Sequence, residues 1–217
     1  SLHSILEQES LIVGAEAISA AQYILSHGER KNLGEENTRK YFGAVSFTET
    51  PVDQIHCLIE IKNRKVKLSP YGLVFVKDEI KDKGVSPVMY FNNVDGEADQ
   101  EIRALVKGLV RTSEEVAAKI LPLISFFGKF LTSPDRPSAN KKMDFSWERE
   151  WRYPASEGPF EFEEEDIFIG LCPHDEIDEF ESECDEIGFI DPKRPIEWYA
   201  PKLIDARKRL NLKYSVV

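Results

Sequence analysis

The sequence predicts an α+β protein in which small antiparallel or mixed sheets carry inserted helices. Three observations lead there. Short strand-like runs recur, among them Ala44-Val45-Ser46-Phe47-Thr48, Leu73-Val74-Phe75-Val76 and Ile167-Phe168-Ile169-Gly170-Leu171, with the length and β-branched content of strands. Segments with apolar residues at helical spacing lie between them. No strand–helix unit repeats, which argues against a doubly wound parallel sheet.

Taken in order, Leu2, Ile5 and Leu6 have helical spacing, so the opening residues read as a helix already under way, with an earlier strand expected upstream. Ala15 to Leu25 is alanine-rich and helical, closed by Ser26-His27-Gly28, and Glu35 to Tyr41 reads as a short helix. The strand Ala44–Thr48 gives way at Glu49-Thr50-Pro51 to a helix, with Thr50 as N-cap and Pro51 at its first position. Ser69-Pro70-Tyr71-Gly72 is a turn before the strand 73–76. A charged helix over Asp78 to Lys83 ends at Gly84, and Pro87 to Phe91 is the next strand. Residues 98–131 form the longest helical region, which Pro122 should bend or divide. Ser133 to Lys142 is a polar loop that delivers the chain to Trp147-Glu148-Arg149-Glu150-Trp151-Arg152-Tyr153-Pro154. Ile167–Leu171 is a further strand, His174 to Ile187 an acidic helix, and Ile196 to Leu210 a terminal helix interrupted near Pro201.

The bulk numbers exclude several functions. Of 217 residues, 41% are hydrophobic and 31% charged, enough for a core of one domain without a membrane-spanning run. Three dispersed cysteines read as reduced, and the protein as cytoplasmic. Four scattered histidines form no evident ligand cluster, so no metal is expected. The net charge of -11 argues against broad electrostatic binding of nucleic acid. From Glu161 to Glu186 the only charged side chains are acidic, which reads either as a solvated face or as a docking surface for a basic partner.

The most chemical pattern is Glu148-Arg149-Glu150. In an extended chain residues i and i+2 share a face, so the two carboxylates would project together, with Arg149 and Trp151 behind. An exposed charged edge strand has the same alternation. His56 beside Cys57 is expected to be packing, because neighbours on a helix point about 100° apart. Trp198 and Tyr199 read as docking aromatics for the last helix. No glycine-rich phosphate loop is present.

The order of these motifs is more specific than any one of them. Ser46-Phe47-Thr48-Glu49-Thr50-Pro51, then Tyr71-Gly72-Leu73-Val74-Phe75, then Gly84-Val85-Ser86-Pro87-Val88-Met89-Tyr90, then Trp147 to Arg152 resembles the AbiGi family of abortive phage-resistance proteins. The likeness runs from Leu2 to about Arg209 and implies one domain over 1–217 with a helical insertion at about 98–131. The same skeleton more distantly resembles the ADP-ribosyltransferase fold. That resemblance implies NAD as substrate, with Glu150 and Glu148 catalytic, Ser46 and Thr48 buttressing the glutamate or lining the nicotinamide pocket, and Tyr71 stacking on the nicotinamide. Glu150 would hold the ribose 2′-hydroxyl and stabilise an oxocarbenium-like transition state, and Glu148 would orient or deprotonate the acceptor. The family's basic or histidine residue on a first strand has no counterpart here, since His3 lies in the opening helix.

Two functions of different class follow. One is an NAD-dependent ADP-ribosyltransferase in phage defence, its acceptor left open; a nucleic-acid acceptor would use Lys62, Arg64, Lys65 and Lys67. The other is a non-catalytic, antitoxin-like protein whose 161–186 acidic face binds a partner from the same operon.

Overall fold

The structure is a computed structural model describing residues 2–11, 25, 27–61, 68–92, 97–127 and 149–213. In chain order its helices are α1 (Leu2–Gln8), α2 (His27–Phe42), α3 (Ile55–Ile59), α4 (Lys77–Asp82), α5 (Glu97–Thr112), α6 (Glu114–Ile120), α7 (Ile177–Glu183) and α8 (Ala200–Arg209). Its strands are β1 (Ser10–Leu11), β2 (Ala44–Thr48), β3 (Gly72–Phe75), β4 (Ser86–Pro87), β5 (Met89–Asn92), β6 (Ile124–Phe127), β7 (Glu150–Pro154), β8 (Phe160–Glu161), β9 (Ile167–Leu171) and β10 (Phe189–Ile190). The mixed α+β class expected from the motif order is what forms: several helices and sheets of two or three strands.

The chain divides into two interleaved compact units. The first takes Ser1–Ser10, Thr50–Lys83 and Glu161–Val217; the second takes Leu11–Glu49 and Gly84–Phe160.

In the first unit β9 is central, parallel to β10 and antiparallel to β3. Ile167, Ile169, Gly170 and Leu171 are all buried, so the strand reads as an almost unbroken apolar run. Gly170 has a steric reason to be glycine: a Cβ there would stand 2.1 Å from Cε1 of Phe189. The fully buried Phe189 ring therefore lies directly against the β9 backbone. Phe189 in turn stacks on Phe180 of α7, centroids 5.1 Å apart. Arg209, at the end of α8, donates to the carbonyls of Glu164 (3.2 Å) and Ile167 (2.7 Å), so the last helix holds the start of β9.

In the second unit β7 lies between β2 and β4, both antiparallel to it, and β5 pairs with β6 in parallel. A cluster of Tyr41, Phe42, Val106, Ala117, Ala118, Leu121 and Ile124 gathers α2, α5, α6 and β6 around one core, with Leu25. Its small residues come from the amphipathic α6, where Ala117 and Ala118 permit close helix approach.

Several boundaries differ from the sequence reading. The 98–131 helical region is α5 and α6, then a 3-10 turn over Leu121–Leu123, then β6. The division falls at Ser113, between α5 and α6, whereas Pro122 sits in the 3-10 turn that ends the helical region, and Ile124-Ser125-Phe126-Phe127 is a strand. Its β-branched and aromatic residues find a partner in β5, and tertiary pairing overrides helical spacing. Pro51 sits at the N-cap position with no side-chain cap, so Thr50 does not cap this helix. Pro201 lies in the first turn of α8 and opens it. The acidic helix is shorter than expected: a 3-10 turn over His174–Glu176 and seven residues of α7. The 15–24 helix, the 133–142 loop and the Lys62, Arg64, Lys65 and Lys67 cluster lie outside the described residues. Among the described residues no helix is long and apolar enough to cross a membrane.

Candidate functional site

The hydroxyl strand and the carboxylate strand are neighbours. In the β2–β7 register Thr48 stands opposite Glu150 and Ser46 opposite Arg152. Directly opposed residues project to the same face, so Ser46, Thr48, Glu150 and Arg152 share one side of this sheet. Ser46 and Thr48 are exposed there.

Arg152 organises this face. Its side chain is only 9% exposed and that of Glu150 19%. Arg152 Nε donates to Glu150 Oε1 and Nη2 to Glu150 Oε2, each at 2.9 Å. This is the planar fork-on-carboxylate geometry that arginine supplies and lysine does not. Nη1 turns the other way and donates to the carbonyl of Pro122 at 2.7 Å. Tyr90 on β5 adds its hydroxyl to Glu150 Oε2 at 3.2 Å. A carboxylate has about four acceptor sites, and three hydrogen bonds from protein donors reach this one. Glu150 is a bound, oriented carboxylate in an ion pair whose guanidinium also fastens the turn before β6.

Glu148 lies outside the described residues. Arg149, next to it, has φ 44°, the left-handed region that a non-glycine residue enters at a cost. The two-residue alternation expected of an extended chain therefore stops at Glu150 and does not run through Arg149. Trp151 points to the opposite side of β7, where its indole N–H donates to Glu49 Oε2 at 3.1 Å.

Tyr71 belongs to the first unit. Its hydroxyl donates to both oxygens of Glu176, at 2.7 and 2.9 Å. This bond, then burial, lifts its pKa above the usual tyrosine value. His56 Nε2 and Cys57 Sγ stand 3.4 Å apart. The expectation that adjacent helical residues cannot meet is thus corrected, because it concerns Cβ directions and a rotated imidazole reaches across. Cys172 is inert: burial, then nearby carboxylates, push its thiol up to about 12, far from thiolate reactivity at neutral pH. His174 Nδ1 meets the Tyr199 hydroxyl at 3.2 Å. Trp198 is 64% exposed, with the Arg194 guanidinium over its ring.

The acidic run is not uniform. Asp166 is buried, paired with Lys83 Nζ at 3.0 Å and accepting the Glu163 N–H at 2.8 Å. Glu181 accepts the Phe189 N–H at 2.7 Å and the Lys202 ammonium. Those two are structural. Glu165, Asp175, Asp178, Glu179, Asp185 and Glu186 are exposed and free to face a partner.

Two constellations escaped the sequence reading. Arg152 was in view inside the motif, and its position two residues after Glu150 places both on one face. Tyr90, 60 residues away, gave no such signal. His3, one of four histidines scattered along the sequence, lies beside Glu179 and Glu183, 176 and 180 positions later.

No curated protein and no solved structure matches the chain. The family described as "Putative abortive phage resistance protein AbiGi, antitoxin" matches residues 26–164, more than half of the sequence. Those residues hold the hydroxyl strand, the Ser86–Tyr90 segment and the Glu150–Arg152 strand, and the chain belongs to the AbiGi family.

Proposed function

We propose that this chain is a non-catalytic, antitoxin-like component of an abortive-infection system that binds its partner protein through the exposed acidic residues of 161–186. The observation that carries the reading is membership of a family described as an antitoxin. Two further features support it. Glu150 is held by Arg152 and Tyr90 in a structural ion pair. The 161–186 segment keeps carboxylates exposed on α7 and its flanking turns, and clustered like charge of this kind steers and selects a basic partner more than it raises affinity.

The test is co-purification of the full chain with the co-encoded partner of its system, followed by a variant with Glu165 and Glu186 changed to Gln and Asp175 and Asp178 changed to Asn. Glu181 is left intact because it holds the Phe189 amide. The variant should lose at least tenfold in affinity, and wild-type binding should weaken as salt rises. Equal affinity of variant and wild type would remove the acidic face from the reading.

A second reading rests on the register that sets Thr48 against Glu150. It is the ADP-ribosyltransferase-like fold and activity, with NAD as substrate. Glu150 would take the ribose hydroxyl at its remaining acceptor site, Glu148 would serve the acceptor, and Ser46 and Thr48 would buttress that glutamate or line the nicotinamide pocket. NAD hydrolysis by the full chain, lost in Glu150→Gln, is the expected result. Because Glu150 is also an ion-pair partner, thermal unfolding of the variant must accompany the assay. A wild-type chain that neither binds nor consumes NAD sinks this reading.

A further inference from the structure

His3 on α1 and Glu179 and Glu183 on α7 come together in the first unit. One ligand atom from each, the imidazole nitrogen and two carboxylate oxygens, lie within 4.8 Å of one another. His3 Nδ1 is 2.6 Å from Glu183 Oε2. Glu179 and Glu183 are one helical turn apart, which puts both on the same face of α7. Two carboxylates at that spacing repel one another, and among the described residues neither has a lysine or arginine within ion-pair distance.

The imidazole is placed by packing as well as by its hydrogen bond. Its ring stacks on Phe180, centroids 4.3 Å apart and planes 18° from parallel. Phe180 is 1% exposed and itself stacked on the buried Phe189. The histidine thus rests on a column of core aromatics, which fixes its plane before any ligand arrives. Preorganisation of this kind is what distinguishes a ligand set from surface charges that happen to meet.

One nitrogen and two carboxylate oxygens suit a borderline divalent ion. Zinc and cobalt accept mixed imidazole and carboxylate sets, whereas calcium and magnesium favour oxygen alone. Two ligands on a tetrahedral zinc, each about 2.1 Å from the metal, stand about 3.4 Å apart. That separation lies within the span these three atoms already occupy. We propose that His3, Glu179 and Glu183 bind one divalent transition-metal ion of the zinc type, its remaining position taken by water. The site shares Glu179 with the acidic face but does not depend on the antitoxin reading.

The full chain, first treated with chelator, is titrated with zinc by calorimetry and with cobalt by visible absorption. One equivalent should bind, with the cobalt bands of a four- or five-coordinate site. His3→Ala and Glu179→Gln should each weaken binding at least tenfold. Glu179 is the discriminating position, because the His3–Glu183 hydrogen bond does not involve it and a simple ion pair would be unaffected by its loss. Absence of saturable binding to the wild-type chain overturns the proposal. So does one-equivalent binding that survives both substitutions, or a magnesium response equal to that of zinc.

Discussion

Glu150 and Glu179 are both glutamates with another glutamate close by in sequence, and the structure gives them opposite circumstances. Glu150, in the motif that most resembles catalytic machinery, is engaged by a buried arginine and a tyrosine. Glu179, in a run that reads as ordinary solvated charge, stands exposed beside another carboxylate and a stacked histidine. A suggestive motif therefore says little about which carboxylate is available. Availability depends on the donors that the fold brings from elsewhere, and Tyr90 and His3 each come from a distant part of the chain.

The contrast breaks most clearly at Arg152. Replacing it by Met leaves Glu150 without its cation and the Pro122 carbonyl without its donor. Loss of one partner from a mostly buried pair costs about 3 kcal/mol, to be read from the urea midpoint of the full chain. Glu179→Gln should shift stability by no more than about 0.5 kcal/mol, as surface substitutions do. Equal effects would erase the distinction. Gly170→Ala tests whether the first unit has a support of comparable rigidity. The new methyl meets Phe189 at 2.1 Å, overpacking expected to cost about 2 kcal/mol and to loosen the ring column beneath His3. A Gly170→Ala protein as stable as wild type would show that Phe189 moves aside freely.

The smallest effect concerns Tyr71. Its folded pKa lies above the ordinary value of 10.0, through the bond to Glu176 first, then burial and the charges of Glu176, Cys172 and Asp175. A raised pKa means that the contribution is complete below pH about 10 and lost as pH rises through the folded value. Tyr71→Phe should remove one tyrosinate step above pH about 10 from an alkaline absorbance titration and flatten that side of the stability profile. Unchanged titration would mean that Tyr71 is free to leave Glu176.

Much of the fold was legible because its strands are bounded by Gly and Pro and carry β-branched residues: 44–48 and 167–171 appear with the boundaries their sequence suggests. The hydroxyl-to-carboxylate neighbourhood was legible too, through the order of motifs. The strand Ile124–Phe127 was hidden because its apolar spacing continues the helical stripe before it, and only pairing with β5 decides otherwise. Arg152 was visible, but its engagement with Pro122 was not, since a backbone carbonyl 30 residues away leaves no mark in composition. The His3 cluster was illegible for the same reason at greater range. Local periodicity cannot say that α1 and α7 end side by side.

The alternation of the chain between its two units has a consequence for biosynthesis. The opening helix meets α7, where His3 stacks on Phe180 and bonds Glu183, so it emerges from the ribosome well before that helix exists. At about 5–20 residues per second, that delay is on the order of ten seconds, during which His3 lacks the ring it stacks on. Whatever shelters a nascent chain must do so for α1 until α7 has followed it.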